Sequence, residues 1–123
     1  MKRSLWALPQ QIIKRVATPA EIIDVGGIEV RVSNPAKVFF PGPDITKMDL
    51  VQYYLEVAEG ALRGCYLRPS TMYRWPNGVL DEEPFYQKRV PPKRPEWIET
   101  VVVRFPSGRS AEMICPTDAA HIA

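Results

Sequence analysis

Thirteen prolines in 123 residues, roughly twice the usual share, confine this chain to short elements joined by stiffened loops. Proline fixes φ and donates no backbone hydrogen, so it stands at element ends rather than inside helices or central strands. Here the prolines fall mostly between the apolar runs, which argues against a helical bundle. The length suits one domain with one core. The hydrophobic share of 46% and charged share of 24% belong to a soluble globular protein. A net charge of +2 is too small to announce nucleic-acid binding by itself. Its distribution says more: residues 87–95 carry Lys88, Arg89, Lys93 and Arg94 without an acid, and the first twenty residues carry Lys2, Arg3, Lys14 and Arg15 without one.

Residues 21–25 and 28–32 alternate on either side of Gly26-Gly27, the pattern of a tight hairpin. Leu50, Val51, Tyr54, Leu55, Ala58, Ala61 and Leu62 recur at helical spacing and predict one amphipathic helix over 48–62, stopped near Gly60 to Gly64. Residues 70–75 read as a strand ended by Pro76-Asn77-Gly78, a turn with positive φ available at both Asn and Gly. Residues 85–90 read as another strand, closed by Pro91-Pro92. Residues 99–105 and 109–115 straddle Pro106-Ser107-Gly108 as a second hairpin. Thr117-Asp118 opens a last helix over 119–123, too short to be stable alone, whose apolar face points to further sequence.

The chemistry gathers at one helix start. Thr46 followed by Asp49 reads as a capping box. The backbone N–H groups of the first turn favour an anion. Lys47 sits in that turn, opposed by the helix dipole unless something negative is bound nearby. Asn34 and Lys37 lie on the loop leading in, close enough along the chain to fold over the helix start. An amide, two ammonium groups and backbone donors make a seat for one phosphate; the competing reading makes both lysines ordinary solvated side chains.

Cys65 and Cys115 lack metal-ligand spacing and read as small buried hydrophobes of a reduced, cytosolic chain. No stretch reaches the apolar length of a transmembrane helix. The basic-then-apolar opening breaks at Pro9-Gln10-Gln11, unlike a signal peptide. Up to about residue 17 the chain is either a frayed amphipathic helix or an extension from a start placed too far upstream.

Several ordered blocks are familiar. Val32-Ser33-Asn34-Pro35-Ala36-Lys37-Val38-Phe39-Phe40-Pro41 with Ile45-Thr46-Lys47, then Tyr53-Tyr54, Arg68-Pro69, Tyr73-Arg74-Trp75-Pro76-Asn77-Gly78 and Phe85-Tyr86-Gln87-Lys88-Arg89, resemble the start of the polymerase domain of bacterial DNA ligase D. Stand-alone actinobacterial relatives of that domain look closer still across residues 97–118. The resemblance runs from about residue 24 to 123. It implies an archaeo-eukaryotic primase-like fold, α+β or α/β, with short antiparallel strands and one long helix, serving non-homologous end joining in the bacterial cytoplasm at the nucleoid. It divides the chain into residues 1–20, an N-terminal extension read as disordered or frayed, and residues 21–123, the N-terminal part of a primase-polymerase domain truncated before its catalytic half.

Carried over residue by residue, the resemblance gives Asn34, Lys37 and Lys47 the 5′-phosphate of the downstream DNA strand, which coincides with the seat argued from helix electrostatics. Phe85 and Tyr86 match residues that lie against DNA near the splayed template, where a π face stacks on any base; plain strand alternation would instead divide them between core and surface. Arg74 matches a basic residue beside the nucleotide and template, while Trp75 reads as core. Lys88 and Arg89 are further candidates for nucleotide or template phosphate, or else solvated strand residues. Tyr73 departs from the pattern: several members carry there a lysine that contacts the incoming triphosphate.

The family's catalytic carboxylates, an Asp pair and a third Asp, lie downstream of the last matching block. Asp44, Asp49, Asp81, Glu82, Glu83 and Asp118 do not match them, so no catalytic and no metal-binding residue is assigned. The run at 81–83 reads as a solvated loop, and His121 as a packed or surface residue. Mg²⁺ or Mn²⁺, which two-metal phosphoryl transfer needs, and nucleoside triphosphates are expected for the complete domain. DNA ends with a 5′-phosphate are the expected partner, alongside a ligase and an end-binding repair protein, and no membrane. Two functions stand: end recognition within a nucleotidyltransferase that extends the opposing strand, or a non-catalytic end-binding module or inactive fragment.

Overall fold

The computed structural model describes residues 19–123. The reading of the N-terminal extension therefore lies outside the described residues, save that Pro19 and Ala20 lead into the first hairpin. In chain order the elements are β1 (Ala20–Val25), β2 (Ile28–Ser33), β3 (Val38–Phe40), β4 (Ile45–Thr46), α1 (Lys47–Glu56), α2 (Ala58–Cys65), β5 (Met72–Arg74), β6 (Phe85–Gln87), β7 (Thr100–Arg104), β8 (Ser110–Ile114) and α3 (Ala119–Ile122). The strands pair as successive antiparallel ladders, β1 with β2, β3 with β4, β5 with β6 and β7 with β8. The class is α+β, as expected.

Gly26 and Gly27 stand at φ 61° and 90°, the left-handed region that a two-residue hairpin turn requires of both its residues. The register that follows sets Val25 against Ile28 and Ile23 against Val30. It turns Val25, Val30 and Val32 inward, where Val51 of α1 and Ala120 of α3 close a small core, with Leu55 and Trp97 packed at its edge. The side chains buried among the described residues are Val, Ala, Met, Pro and Cys; Cys115 is buried as expected, whereas Cys65 is only half-buried. The aromatic rings are left to the periphery.

Both halves of the capping box form: Thr46 Oγ1 accepts from the Asp49 N–H at 3.1 Å, and Asp49 Oδ2 accepts from the Thr46 N–H at 2.9 Å. The helix read over 48–62 is realised as two. Val57 interrupts it at φ −102°, ψ 9°, between α1 and α2. Gly60 lies within α2, which ends at Cys65, one residue past Gly64 and so close to the expected stop.

The strand read over 70–75 contracts to β5, with Ser70 forming an isolated bridge to Ile114; that read over 85–90 contracts to β6. In the intervening turn Gly78 alone takes positive φ, at 95°, and its N–H reaches the Trp75 carbonyl at 3.1 Å. The second hairpin forms as expected, and Asp118 caps α3 by accepting from the Ala120 N–H at 3.1 Å.

Candidate functional site

A cleft of about 470 Å³ opens where the end of β2, the start of α1 and the end of β5 converge. Asn34, Lys37, Lys47 and Arg74 line it together with Ser33, Trp75 and Pro76, and no acidic side chain is among the lining residues. Asn34 takes φ 51°, a left-handed conformation that asparagine tolerates better than most residues. This bends the chain so that the Lys37 N–H reaches the Asn34 carbonyl at 3.1 Å.

Each lysine is held from behind. Lys47 Nζ donates to the Ser33 carbonyl at 2.6 Å and to Ser33 Oγ at 3.1 Å. Lys37 Nζ donates to the Pro76 carbonyl at 2.8 Å and to Asn77 Oδ1 at 2.9 Å. An ammonium has three donors, so each retains one while its position is fixed. Burial holds the Lys47 pKa below the ordinary lysine range, and the positive charges of Lys37 and Arg74 lower it further. The cations thus repel one another in a partly desolvated place, and a bound anion would relieve that repulsion.

One expected contribution is absent. The first-turn N–H groups of α1 are already engaged: Lys47 N–H donates to the Lys37 carbonyl at 2.7 Å, Met48 N–H to the Pro35 carbonyl at 2.9 Å, and Asp49 N–H to Thr46. The loop that carries Asn34 and Lys37 satisfies the donors that the helix start was read as offering. Side chains, not the helix start, therefore supply the free donors of the cleft.

The other predicted residues lie outside the cleft lining. Phe85 and Tyr86 are on β6, both exposed. Arg74 bridges the two regions, donating from Nη1 to Gln87 Oε1 at 2.7 Å with its guanidinium 5.6 Å from the Phe85 ring centroid. Lys88 Nζ sits 4.5 Å from the Phe105 ring centroid, and Arg89 Nη2 donates to the Ser110 carbonyl at 3.1 Å. Arg94 pairs with Glu112 at 2.8 Å. The basic run at 88–94 is thus drawn toward the β7–β8 hairpin. His121 is packed: its Nε2 accepts the Glu99 N–H at 2.9 Å, Nδ1 lies 3.0 Å from Asp118 Oδ1, and the ring meets Trp97 edge-on.

No sequence signal marks Ser33 or the Pro76-Asn77 turn as supports of the lysines. The turn was legible, but nothing local says that its carbonyl and amide oxygens face a lysine some forty positions earlier. Asp81 supports that turn by accepting from the N–H groups of Asn77 at 3.1 Å and Glu83 at 2.9 Å, so part of the acidic run is structural. Among the described residues no three His, Cys, Asp or Glu stand together as a metal-ion site. The donor set for Mg²⁺ or Mn²⁺ is not found here, and no metal-assisted step follows from these residues. No helix among them is long and apolar enough to cross a membrane.

Residues 46–123 match the family model described as LigD, primase-polymerase domain. The multifunctional non-homologous end joining protein LigD of Mycolicibacterium smegmatis is 38% identical over 88 residues, covering 72% of this chain and 11% of that protein. The corresponding protein of Mycobacterium bovis is 39% identical over 79 residues, covering 64% and 10%. The polymerase domain from Mycobacterium tuberculosis ligase D, solved in complex with DNA, superposes with a TM-score of 0.70 at 35% identity, covering 76% of this chain and 32% of that one. The chain spans about a tenth of the curated relatives it matches.

Proposed function

This chain belongs to the LigD primase-polymerase family, and from that premise we propose that its cationic cleft seats the 5′-phosphate of a DNA end during non-homologous end joining. The observation that carries the reading is the pair Lys37 and Lys47, each pinned by oxygen acceptors, beside Arg74 in a cleft with no acidic side chain. A terminal phosphate carries more charge than a phosphodiester, and two fixed ammonium donors favour it. Asn34 at the rim offers an amide to the same group. Nucleotide addition to the opposing strand, with its divalent cations, belongs to the whole enzyme.

The test compares recessed DNA ends bearing 5′-phosphate or 5′-hydroxyl. The chain should prefer the phosphate end, and Lys37→Ala or Lys47→Ala should weaken that preference roughly tenfold, the scale of one lost hydrogen bond to a charged group. Each should also lower the salt slope of binding by about one. Lys93→Ala, exposed and away from the cleft lining, should leave the preference intact. Equal affinity for the two ends across several salt concentrations would refute the reading.

The lowered Lys47 pKa adds a pH dependence. Phosphate binding requires the ammonium form, so affinity should hold at neutral pH and fall as pH rises through that pKa, earlier than for an exposed lysine. Lys47→Arg, whose guanidinium stays protonated, should flatten the fall. Titrations of affinity between neutral and alkaline pH measure both slopes.

A further inference from the structure

Three exposed rings stand together beside the cleft. Tyr73 lies opposite Tyr86 in the β5–β6 register, their ring centroids 4.2 Å apart and their planes within 12°. Trp75, two residues beyond Tyr73 and exposed rather than in the core as expected, meets it at 4.2 Å with a tilt of 50°. Strand alternation puts Arg74 and Phe85 on the opposite face, where they pair with each other. Tyr86 nonetheless remains 71% exposed and Tyr73 46%. Trp75 also lines the cationic cleft, so an aromatic surface adjoins the lysines.

We propose that Tyr73 is a positioning residue: with Trp75 it backs Tyr86, the ring that by resemblance lies against DNA, and fixes that ring's plane toward an unpaired base of a DNA overhang next to the seated phosphate. The inference rests on the phosphate reading for the location of the duplex. A lone ring on a three-residue strand is free to turn, whereas a parallel neighbour fixes its plane and leaves the outer face open. A π face accepts any base, so the grip would be sequence-tolerant. Lys37 and Lys47, which line the cleft with Trp75, complement a phosphodiester backbone, which selects a nucleic acid over an apolar peptide as the occupant.

The experiment uses the full chain and recessed 5′-phosphate duplexes with a short 3′ overhang, either intact or abasic. The abasic overhang should bind about tenfold more weakly. Tyr73→Ala should remove most of that difference, as Tyr86→Ala does, with little further loss in the double variant. Tyr73→Phe should retain it, and Tyr73→Leu, which keeps apolar bulk without a π face, should lose it at an unchanged melting temperature. Through all of these the preference for 5′-phosphate over 5′-hydroxyl should persist. Equal binding of intact and abasic overhangs by the unaltered chain overturns the stacking on Tyr86, and full discrimination by Tyr73→Ala overturns the role of Tyr73. Overhang discrimination without phosphate preference would refute the phosphate seat and leave the stacking standing.

Discussion

Replacing Gly78 with alanine is expected to lower the melting temperature by more than about 10 °C, the equivalent of roughly 3 kcal/mol in a domain of this size. A Cβ at Gly78 would lie 2.9 Å from the Phe39 carbonyl oxygen and 3.0 Å from Phe39 Cα, both backbone atoms that cannot swing aside. The residue also holds φ 95°, which costs a side chain on the order of 1–3 kcal/mol. Relief would require β3 to move away, breaking the bond from the Val79 N–H to the Phe39 carbonyl at 2.9 Å. Gly108 provides the control: its φ is 86° but its Cβ would meet open space, so Gly108→Ala should cost only about 1 kcal/mol. The turn ending at Gly78 carries the oxygens that hold Lys37, so Gly78→Ala should also lose the 5′-phosphate preference, whereas Gly108→Ala should keep it. Equal melting temperatures for the two variants would contradict the argument.

Val32→Asp should be the most damaging substitution in the core, at about 4 kcal/mol or more. Val32 is 4% exposed and packs in the cluster with Val25, Val30 and Val51. The change forfeits about 1.5–3 kcal/mol of apolar burial and places a carboxylate where it must either lose its water or open the core. Ile22→Asp, on the neighbouring strand but 61% exposed, should stay within about 0.5 kcal/mol of the parent. Urea unfolding curves of the pair decide it; comparable midpoints would mean that the valine cluster does not hold the fold together. Since Val32 directly precedes Ser33, the support of Lys47, the damage should extend to the cleft.

Much was legible because the signals are local. The Gly26-Gly27 hairpin, the Thr46–Asp49 capping box and the hairpin around Pro106-Ser107-Gly108 each depend on the φ/ψ preferences and hydrogen bonds of a few consecutive residues. That Asn34, Lys37 and Lys47 come to line one cleft was legible too, since a short loop and a helix start join them. The break at Val57 was not, because the helical spacing of apolar residues continues through it and only packing decides between one helix and two.

What the amino-acid order determined by itself, then, is where this chain turns, where its first helix begins and which cations gather there. Tertiary structure decided the rest. It spent the first-turn N–H groups on the carbonyls of Pro35 and Lys37, brought Arg74 into the cleft, and drew Lys88 and Arg89 toward the β7–β8 hairpin. It also laid Tyr73 against Tyr86. These outcomes depend on contacts between segments distant in the chain, which arise from burial of the small valine core and from strand register, and no local pattern of residue types encodes them.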